Sequence, residues 1–422
     1  MASEALAPLS PEQEAVMFHM VDPRPILVTG KAGTGKSHLL KHLVKKYPSL
    51  AITASTGIAA LNVGGQTLHS FAGLGMSPKD ANSVLKRLRQ MRGNTTIDTI
   101  KGLQYLAIDE VSMMGAKLLD LVDGVFQAIR RNGLPFGGVK VIMFGDFLQL
   151  PPVNDDWAFK SFFWETAKPK VVILTKIFRQ QDEDFANFLS CVREAPWTTG
   201  GECPDYVIQT IKKRYLAKPD PDKPPVVLHT TNVAVDGINA RRLEALDGEQ
   251  RVKTAREYGK DWALEKMEKD CKAPKILKLK VGARVMLLIN ICPLGGLANG
   301  SLGTVVEIRP TTIIVDFDGA GREIISRHTF EMKDKGSILA ERIQFPLRLA
   351  WAITMHKSQG LTMDAVEVHM GANFCPPGAA YVAMSRCRTL EGLFIGSTRA
   401  GAINADLDAL AFYDQHGLLS TA

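Results

Sequence analysis

The sequence has little of what marks secreted, zinc-binding or membrane proteins. Its six cysteines are scattered without a C-x-x-C pair, which excludes a disulfide framework and the common zinc spacings. No apolar run is long enough to span a bilayer. The first residues, MASEALAPLSPEQ, lack the basic and apolar regions of a secretory signal. With no long extension to carry organelle targeting, we expect a cytoplasmic protein of a bacterium or of a phage-infected cell.

Negative charge is in deficit. The chain has 51 Lys and Arg residues against 44 Asp and Glu residues, which gives a net charge of +7 and a pI near 9.0. An excess of this size favours a polyanionic partner, although it is also common on solvated surfaces. The length of 422 residues is more than one core can hold and predicts about three domains.

The glycine-rich stretch from Pro25 to Leu40, PILVTGKAGTGKSHLL, carries the clearest chemistry. An apolar strand runs into the complete pattern G-x-x-x-x-G-K-[ST], and a helix follows. Such a loop turns successive backbone N–H groups towards phosphate oxygens. Lys36 can then reach the β- and γ-phosphates, while the hydroxyl of Ser37 is placed to ligate Mg²⁺. The sequence therefore predicts a nucleoside triphosphate site.

Strands alternate with helical segments through residues 20–175, which predicts a parallel sheet with helices on both faces. Polar residues follow several of these strands, at the carboxyl edge where such sheets bind ligands. One strand ends in Asp109 and Glu110, and others lead to Gln149 and Arg179. The alternative for the two acids is an ordinary surface strand end, and for Arg179 a surface salt bridge.

Two more segments have a structural as well as a functional interpretation. Ser10 and Gln13 flank Pro11 in the pattern of a helix N-cap with a capping box. Residues 77–100 contain a basic helical piece, which is most often a solvated helix face; its cations are Lys86, Arg87, Arg89 and Arg92.

The sequence pattern changes in the second half of the chain. A linker-like stretch at 219–225 precedes a buried strand and a helix, and residues 247–272 are charged without a readable pattern. From 276 to 330, short strands separated by glycines predict a small antiparallel barrel. The α/β pattern returns at 349–360, so we expect the barrel to be inserted within a second α/β domain.

A series of motifs along nearly the whole chain resembles, in the same order, those of superfamily-one DNA helicases of the PIF (petite integration frequency) branch, with a more distant similarity to RecD. The motifs are LSPEQ (9–13), GKAGTGKS (30–37), TASTGIAA (53–60), TLHSFAG (67–73), IDEVSMM (108–114), FGDFLQLPPV (144–153), IFRQ (177–180), TMHKSQGLT (354–362) and YVAMSRCRTLEGL (381–393).

The resemblance implies an α/β fold with two RecA-like motor domains, each a parallel sheet with helices on both faces. The first motor domain would occupy 1–175, interrupted by a short helical wedge at 77–100. The second would occupy 176–245 and 346–422, and a Src-homology-type β-barrel would be inserted at 246–345.

The resemblance also assigns roles in ATP hydrolysis. Gln13 would recognise adenine, which a capping role does not exclude; the implied nucleotide-binding residues are Gln13, Gly30, Gly33, Thr34, Gly35, Lys36 and Ser37. Ser37 and Asp109 would hold Mg²⁺. Glu110 would activate the attacking water and Gln149 would sense the γ-phosphate. Arg179 and Arg386 resemble arginine fingers, which supply the positive charge that phosphoryl transfer needs.

For DNA, the resemblance implies contacts from both motor domains that track phosphates without reading sequence. The residues are Thr56, His69, Ser70 and Phe71 in the first domain, and Thr231, Asn232, Thr354, His356, Lys357 and Ser358 in the second. Phe71 would stack on a base, but a core role is the open alternative.

The implied activity is an ATP- and Mg²⁺-dependent helicase that moves 5′ to 3′ on single-stranded DNA. Its partners would be single strands and duplex junctions of any sequence, and it would be a monomer in solution. Forks, G-quadruplexes and RNA–DNA hybrids are all compatible substrates in genome maintenance. A small-molecule kinase or GTPase, and an ATP-gated DNA clamp that does not unwind, are the rival interpretations; the motif at 381–393 argues against the former.

Overall fold

The computed structural model describes residues 7–56, 59–60, 63–75, 78–90, 95–180, 182–220, 224–271, 273–292, 297, 299–334, 337–371, 375–399 and 401–419. Of the predicted segments, Gly57 and Ile58 in TASTGIAA, and Ser77 and 91–94 in the wedge, lie outside the described residues. The chain divides into two compact units: unit 1 is Met1–Pro219 with Thr362–Ala422, and unit 2 is Asp220–Leu361.

Unit 1 is built on a six-stranded parallel sheet, as the alternating pattern predicts. Its strands are β1 (Ile26–Gly30), β2 (Leu50–Ala54), β3 (Gln66–Thr67), β4 (Tyr105–Asp109), β5 (Lys140–Phe144) and β6 (Lys170–Leu174). They lie in the order β3-β2-β4-β5-β1-β6, and every neighbouring pair is parallel. The carboxyl ends of β1 and β4 therefore meet at one edge of the sheet, where Gly30 and Asp109 stand.

The helices are numbered in chain order through both units. They are α1 (Pro11–His19), α2 (Lys36–Lys46), α3 (Leu68–Phe71), α4 (Ala81–Gln90), α5 (Thr96–Gly102), α6 (Ala116–Arg130), α7 (Phe162–Ala167), α8 (Glu183–Glu194), α9 (Asp205–Leu216), α10 (Asn232–Ala245), α11 (Asp261–Asp270), α12 (Met355–Ser358), α13 (Ala379–Met384) and α14 (Leu407–Gln415). Short 3-10 turns lie at Val111–Met113, Pro135–Gly138, Ala158–Lys160 and Pro196–Thr199. Among the described residues, no helix is long and apolar enough to cross a membrane.

The sheet of unit 1 is covered by amphipathic helices. Leu39 and Leu43 of α2 are fully buried against β1 and β5, and Val16 of α1 joins the same cluster. In the basic segment, α4 buries Val84, Leu85 and Leu88 and packs on α6. The basic helix is thus solvated on one side only, because its apolar side belongs to the core.

The C-terminal segment of unit 1 packs into the same core. Strands β19 (Val366–His369) and β20 (Leu393–Ser397) pair in parallel, and α14 brings Phe412 against Phe147 with ring centroids 5.2 Å apart. Tyr413 is fully buried beside it, and its hydroxyl lies 2.5 Å from Thr29 Oγ1 at the end of β1.

Unit 2 combines a parallel strand pair with short antiparallel strands. The pair is β7 (Val226–His229) with β18 (Ala352–Thr354), and Asn239 of α10 bonds both backbone groups of Ala352 at 2.9 Å. The remaining strands are β8 (Arg251–Thr254), β9 (Arg256–Gly259), β10 (Ile276–Leu279), β11 (Arg284–Leu287), β12 (Leu302–Ile308), β13 (Thr312–Phe317), β14 (Gly321–Ser326), β15 (His328–Asp334), β16 (Ser337–Gln344) and β17 (Leu347–Leu349).

These strands form three antiparallel sheets, in the orders β14-β13-β12-β11-β17, β15-β16-β9 and β10-β8. The five-stranded sheet and the β10-β8 pair share a core that includes Val285, Val305, Ile313 and Phe345, whereas the β15-β16-β9 sheet packs Ala340 against Ala263 and Met267 of α11. The short antiparallel strands predicted for 276–330 are confirmed. The stretch 247–272, which gave no readable pattern, holds β8, β9 and α11; β8 is largely exposed and α11 buries only Ala263 and Met267 among its described side chains, so neither has a strong apolar period.

Candidate active site

The phosphate loop connects β1, which ends at Gly30, to α2, which begins at Lys36. Gly33 and Gly35 adopt φ values of +84° and +83°, which favour glycine. A Cβ on Gly33 would lie 2.5 Å from Cβ of Arg179, and one on Gly35 would lie 2.5 Å from Nε2 of Gln13. Both glycines are therefore needed for the backbone conformation and for the close approach of two predicted site residues.

Lys36 folds back into this loop. Its Nζ donates to the carbonyls of Gly30 at 2.6 Å and Lys31 at 3.1 Å. Burial lowers the pKa of Lys36, against the opposing effect of the nearby carboxylates, of which Asp146 and Glu110 are the strongest. A phosphate that entered the loop would offer this ammonium better acceptors than two carbonyls.

Gln13 has the capping role that the sequence suggests and also a position at the loop. Its Oε1 accepts the Ser10 N–H at 3.0 Å, and the Ser10 hydroxyl accepts the Gln13 N–H, which completes the capping box. Its Nε2 donates to the carbonyls of Gly35 at 3.2 Å and Thr34 at 3.5 Å. The side chain is 1% exposed, so it tethers α1 to the phosphate loop.

Asp109 and Glu110 lie at the end of β4, and Asp109 is 9% exposed rather than a surface strand end. Burial, reinforced by the charge of Glu110, raises the pKa of Asp109 to about 7. Glu110 has left-handed backbone angles of φ 53° and ψ 47°. A non-glycine residue in this region stores about 1–3 kcal/mol of strain, which proteins retain mainly at functional sites.

These residues fit a magnesium ion carried by a nucleotide. No group of three or more His, Cys, Asp or Glu side chains in the described part of the chain forms a metal cage. Mg²⁺ commonly uses one or two protein oxygens together with substrate phosphates and waters. Asp109 at the end of β4 and Ser37 in the first turn of α2 supply that kind of partial donor set.

The two predicted arginines lie close to each other. Arg179 Nη1 donates to the Ser385 carbonyl at 3.2 Å, and Arg386 Nη2 donates to the Ser385 hydroxyl at 2.9 Å. Arg386 is 2% exposed. Burial, with the neighbouring charge of Arg179, lowers the pKa of Arg386 to about 9, while Glu110 opposes that shift. Arg386 is therefore not a surface residue, whereas Arg179 is half-buried.

Gln149 is placed by the turn that follows β5. It is 5% exposed, and its backbone N–H donates to the Asp146 carbonyl at 3.0 Å. Its own carbonyl lies against Gly378, where a Cβ would approach it to 2.4 Å. The γ-phosphate role of its side chain stays a prediction.

Sequence reasoning assigned no role to a buried charge cluster beside the loop. Asp146 accepts two hydrogen bonds from Arg193, at 2.9 and 2.8 Å, and both side chains are at most 1% exposed. Tyr413 donates its hydroxyl to Asp146 at 3.0 Å. The hydroxyl of Tyr381 accepts the Ala32 N–H in the phosphate loop at 2.7 Å. The one sequence signal was an aspartate directly after the apolar strand in FGDFLQLPP.

The predicted strand contacts of unit 1 separate into exposed and buried residues. His69 and Ser70 are exposed on α3, while Thr56 is half-buried and accepts the Ala59 N–H at 3.2 Å. Phe71 is 9% exposed and faces Phe126, with ring centroids 6.3 Å apart. The packed ring supports the core alternative for Phe71, and stacking on a base stays a prediction.

In unit 2, the structure brings Asn232 and Lys357 together, with Lys357 Nζ donating to Asn232 Oδ1 at 3.2 Å. Thr231 and Asn232 are exposed, and His356 is half-buried. Thr354 and Ser358 turn inward instead. Thr354 accepts the Lys357 N–H at 3.3 Å as the cap of α12, and Ser358 donates to the Met355 carbonyl at 2.7 Å.

Comparisons with known proteins find similar proteins over most of the chain. The family described as PIF1-like helicase matches residues 8–194, and the one described as DNA helicase Pif1, 2B domain, matches residues 264–308. The human ATP-dependent DNA helicase PIF1 is 36% identical over 429 residues, covering 96% of this chain and 63% of the relative. The chain thus spans less than two thirds of that protein.

The Pif1 of Bdellovibrio bacteriovorus is 34% identical over 415 residues, covering 96% of this chain and 92% of the relative. Among solved structures, Pif1 helicase from Candida albicans has a TM-score of 0.86 at 33% identity, covering 97% of this chain and 100% of that one. Bacteroides Pif1 in complex with ADP-AlF3 and single-stranded DNA has a TM-score of 0.75 at 32% identity, covering 97% of each chain.

Proposed function

The chain belongs to the PIF1-like helicase family, and we propose that it is an ATP- and Mg²⁺-dependent motor that moves on single-stranded DNA and unwinds duplexes. The observation that carries this proposal is the convergence within unit 1 of a phosphate loop, the Asp109 and Glu110 carboxylates, of which Asp109 is buried, and two arginines, of which Arg386 is buried and Arg179 half-buried. A site that only binds a nucleotide has no need of the arginines, whereas phosphoryl transfer uses positive charge at the γ-phosphate.

In the proposed reaction, the loop N–H groups and Lys36 hold the phosphates. Mg²⁺, held by Ser37 and Asp109, would neutralise charge on the β- and γ-phosphates. Glu110 orients the attacking water and accepts its proton. Arg179 and Arg386 stabilise the charge that develops on the transferred group, Gln149 senses the γ-phosphate, and Gln13 contacts adenine after its amide leaves the Gly35 carbonyl.

The proposed partners are single-stranded DNA and duplex junctions, without sequence preference. Bacteroides Pif1 has been crystallised with single-stranded DNA, and another matched structure concerns unwinding of forked duplex DNA by two coordinating Pif1 helicases. We extend that ligand class to this chain through the exposed residues His69, Ser70, Thr231 and Asn232, with Lys357. The 5′ to 3′ direction, the monomeric state and the choice among forks, G-quadruplexes and RNA–DNA hybrids are parts of the same proposal.

The domain assignment also belongs to the proposal. We propose motor domains at 1–175 and at 176–245 with 346–422, and a barrel insertion at 246–345. Support comes from the match of the 2B-domain family inside that insertion. A cytoplasmic, nucleoid-associated location is proposed from the DNA-directed activity.

The proposal is tested by measuring ATP turnover with and without single-stranded DNA, followed by strand displacement on 5′-tailed and 3′-tailed duplexes. We expect DNA-stimulated turnover and unwinding of the 5′-tailed substrate only. Lys36→Ala should abolish both activities while DNA binding remains, and Glu110→Gln should do the same while ATP still binds. Turnover that survives in either variant would overturn the site assignment. Turnover without unwinding of any substrate would favour the clamp.

A further inference from the structure

A second concentration of positive charge lies in unit 1, in a cavity of about 660 Å³ between α4, α5 and the C-terminal end of α6. Its cationic lining residues are Arg89, Lys101, Arg130 and Arg131, and no carboxylate is among the lining residues that the structure describes. We refer to this cavity as the basic cleft. Four cations without a carboxylate are an arrangement that favours a bound anion.

Three of these cations are available to a ligand. Arg89, Lys101 and Arg131 are exposed, and their side chains make no ion pair within the described part of the chain. Arg130 differs because its guanidinium donates to four carbonyls, those of Ile100, Lys101, Leu103 and Gly137, at 2.7 to 3.0 Å. Arg130 therefore fixes the end of α5, which carries Lys101, against the end of α6, which carries Arg131.

Arg131 occupies a position where glycine is the usual residue. It caps α6 with φ 54° and ψ 43°, in the left-handed region. Glycine or asparagine would adopt this conformation with less strain. The positive charge of Arg131 is favourable at a helix C-terminus, and its side chain is exposed, which leaves the guanidinium accessible to an anion.

Helix α4 separates this cleft from the predicted strand contacts of unit 1. Arg87 donates to the carbonyl of Gly73, just after α3, which carries the exposed His69 and Ser70. Arg89, two residues later, lines the basic cleft. Residues two apart point to different sides of a helix. The predicted DNA contacts His69 and Ser70 therefore lie on one side of α4, and the basic cleft lies on the other.

We propose that the basic cleft binds the phosphate backbone of the displaced DNA strand, that is, the strand on which the motor does not travel. The inference rests on the proposed function, because only an unwinding motor produces such a strand. If the two DNA strands separate at α4, one strand would follow the predicted DNA contacts of unit 1 and the other would meet the cations of the basic cleft. Contacts from exposed cations to phosphates carry no sequence information, so binding should not depend on sequence.

The test measures binding without nucleotide, by fluorescence anisotropy, to two labelled DNAs. Both carry the same 5′ tail and duplex, and one also carries an unpaired oligothymidine 3′ arm. The variant is Arg89→Gln, Lys101→Gln, Arg131→Gly; the glycine suits the backbone at that position, so folding should persist. The matched control removes three exposed lysines elsewhere in unit 1, as Lys45→Gln, Lys117→Gln, Lys212→Gln.

In the wild type, adding the arm should steepen the slope of log affinity against log salt by about 2. Each phosphate neutralised on a single strand contributes about 0.7 to this slope, and the cleft offers three exposed cations. The cleft variant should lose this increment and the control should keep it. The proposal is overturned if the arm adds nothing in the wild type, if the variant keeps the increment, or if the control loses it equally.

Folding and motor activity are read separately. Thermal melting should show the cleft variant as stable as the wild type, and the pair Arg89→Gln, Lys101→Gln repeats the test should the triple variant fail to fold. Turnover stimulated by single-stranded DNA reports on the proposed function. Its absence in the wild type would defeat that function, whereas the anisotropy data alone decide whether the cleft binds the arm.

Discussion

The nucleotide site and the basic cleft both gather positive charge in unit 1, but they hold it in opposite ways. Arg386 is 2% exposed and Arg193 is 1% exposed, and each is held by hydrogen bonds to neighbouring protein groups. Arg89 and Arg131 stand in solvent without a carboxylate among the described residues around them. A buried charge is bound to its surroundings, so its removal should be costly, whereas an exposed charge should contribute by small, separable amounts.

The largest effect is expected from Arg386→Ala. Arginine fingers are worth about 10³–10⁵ in rate, and we expect the rate of DNA-stimulated ATP hydrolysis to fall by a factor in that range. The control is Arg388→Ala, because Arg388 is 61% exposed and pairs only loosely with Asp364 at 3.3 Å. If the rate of ATP hydrolysis falls less than tenfold in Arg386→Ala, Arg386 is buried for a structural reason. The nucleotide site and the basic cleft would then differ only in how their arginines are packed.

The next effect is on stability. Arg193→Met removes the two hydrogen bonds that Arg193 donates to the buried Asp146 carboxylate and leaves that charge without its cation, and breaking such a pair costs about 3–5 kcal/mol. Urea unfolding measures this loss. Lys160→Met breaks the exposed pair with Asp408 and should cost about 0–1 kcal/mol. Equal losses in the two variants would remove the distinction between buried and exposed charge.

The parts of the site that could be predicted from sequence are those encoded by neighbouring residues. The phosphate loop, the Asp109 and Glu110 pair and the capping box of Ser10 with Gln13 each occupy a few consecutive positions. Their local structure follows from spacing, and the parallel sheet places the phosphate loop and the two acids at the same edge, as their positions after strands predict.

The parts that could not be predicted join distant segments. Asp146 and Arg193 are 47 residues apart, and Thr29 meets Tyr413 across 384 residues. Nothing local distinguishes Arg193 from another basic residue in the last turn of an amphipathic helix. The same limit applies to Phe71, because a motif does not tell whether an aromatic ring faces solvent or Phe126. The basic cleft was visible only as a charged helix, since its other cations come from α5 and from the end of α6.

A smaller effect should follow from Tyr381→Phe, which removes one buried hydroxyl. The Ala32 N–H then loses its acceptor at 2.7 Å, and an unsatisfied buried donor costs about 1–3 kcal/mol. Thermal or urea unfolding of the nucleotide-free protein measures the change. Tyr215→Phe is the control, because Tyr215 is 54% exposed and water replaces any lost bond. If Tyr381→Phe does not change the stability, a neutral hydrogen bond at the phosphate loop contributes less to folding than the buried charge pair beside it.

The smallest effect is expected from Lys357→Ala in unit 2. The burial of Lys357 is intermediate between that of the buried arginines in the nucleotide site and that of the exposed arginines in the basic cleft. Lys357 is half-buried, and burial together with Arg348 lowers the pKa of its ammonium. Its hydrogen-bond partner Asn232 is exposed, so water can replace the lost contact at little cost. Removing one phosphate contact should therefore reduce the salt slope for single-stranded DNA by about 0.7 and leave the unfolding free energy nearly unchanged.

The control for Lys357 is Lys278→Ala, which removes an exposed lysine of the antiparallel sheets and should leave the salt slope as it is. A stability loss comparable to that of Arg193→Met would place Lys357 with the buried charges of the nucleotide site. An unchanged slope on mixed-sequence single strands would remove Lys357 from the strand path. Either result would show that the half-buried Lys357 is not intermediate between the buried charges of the nucleotide site and the exposed charges of the basic cleft. A contact that water can replace should affect DNA binding and leave the free energy of unfolding unchanged.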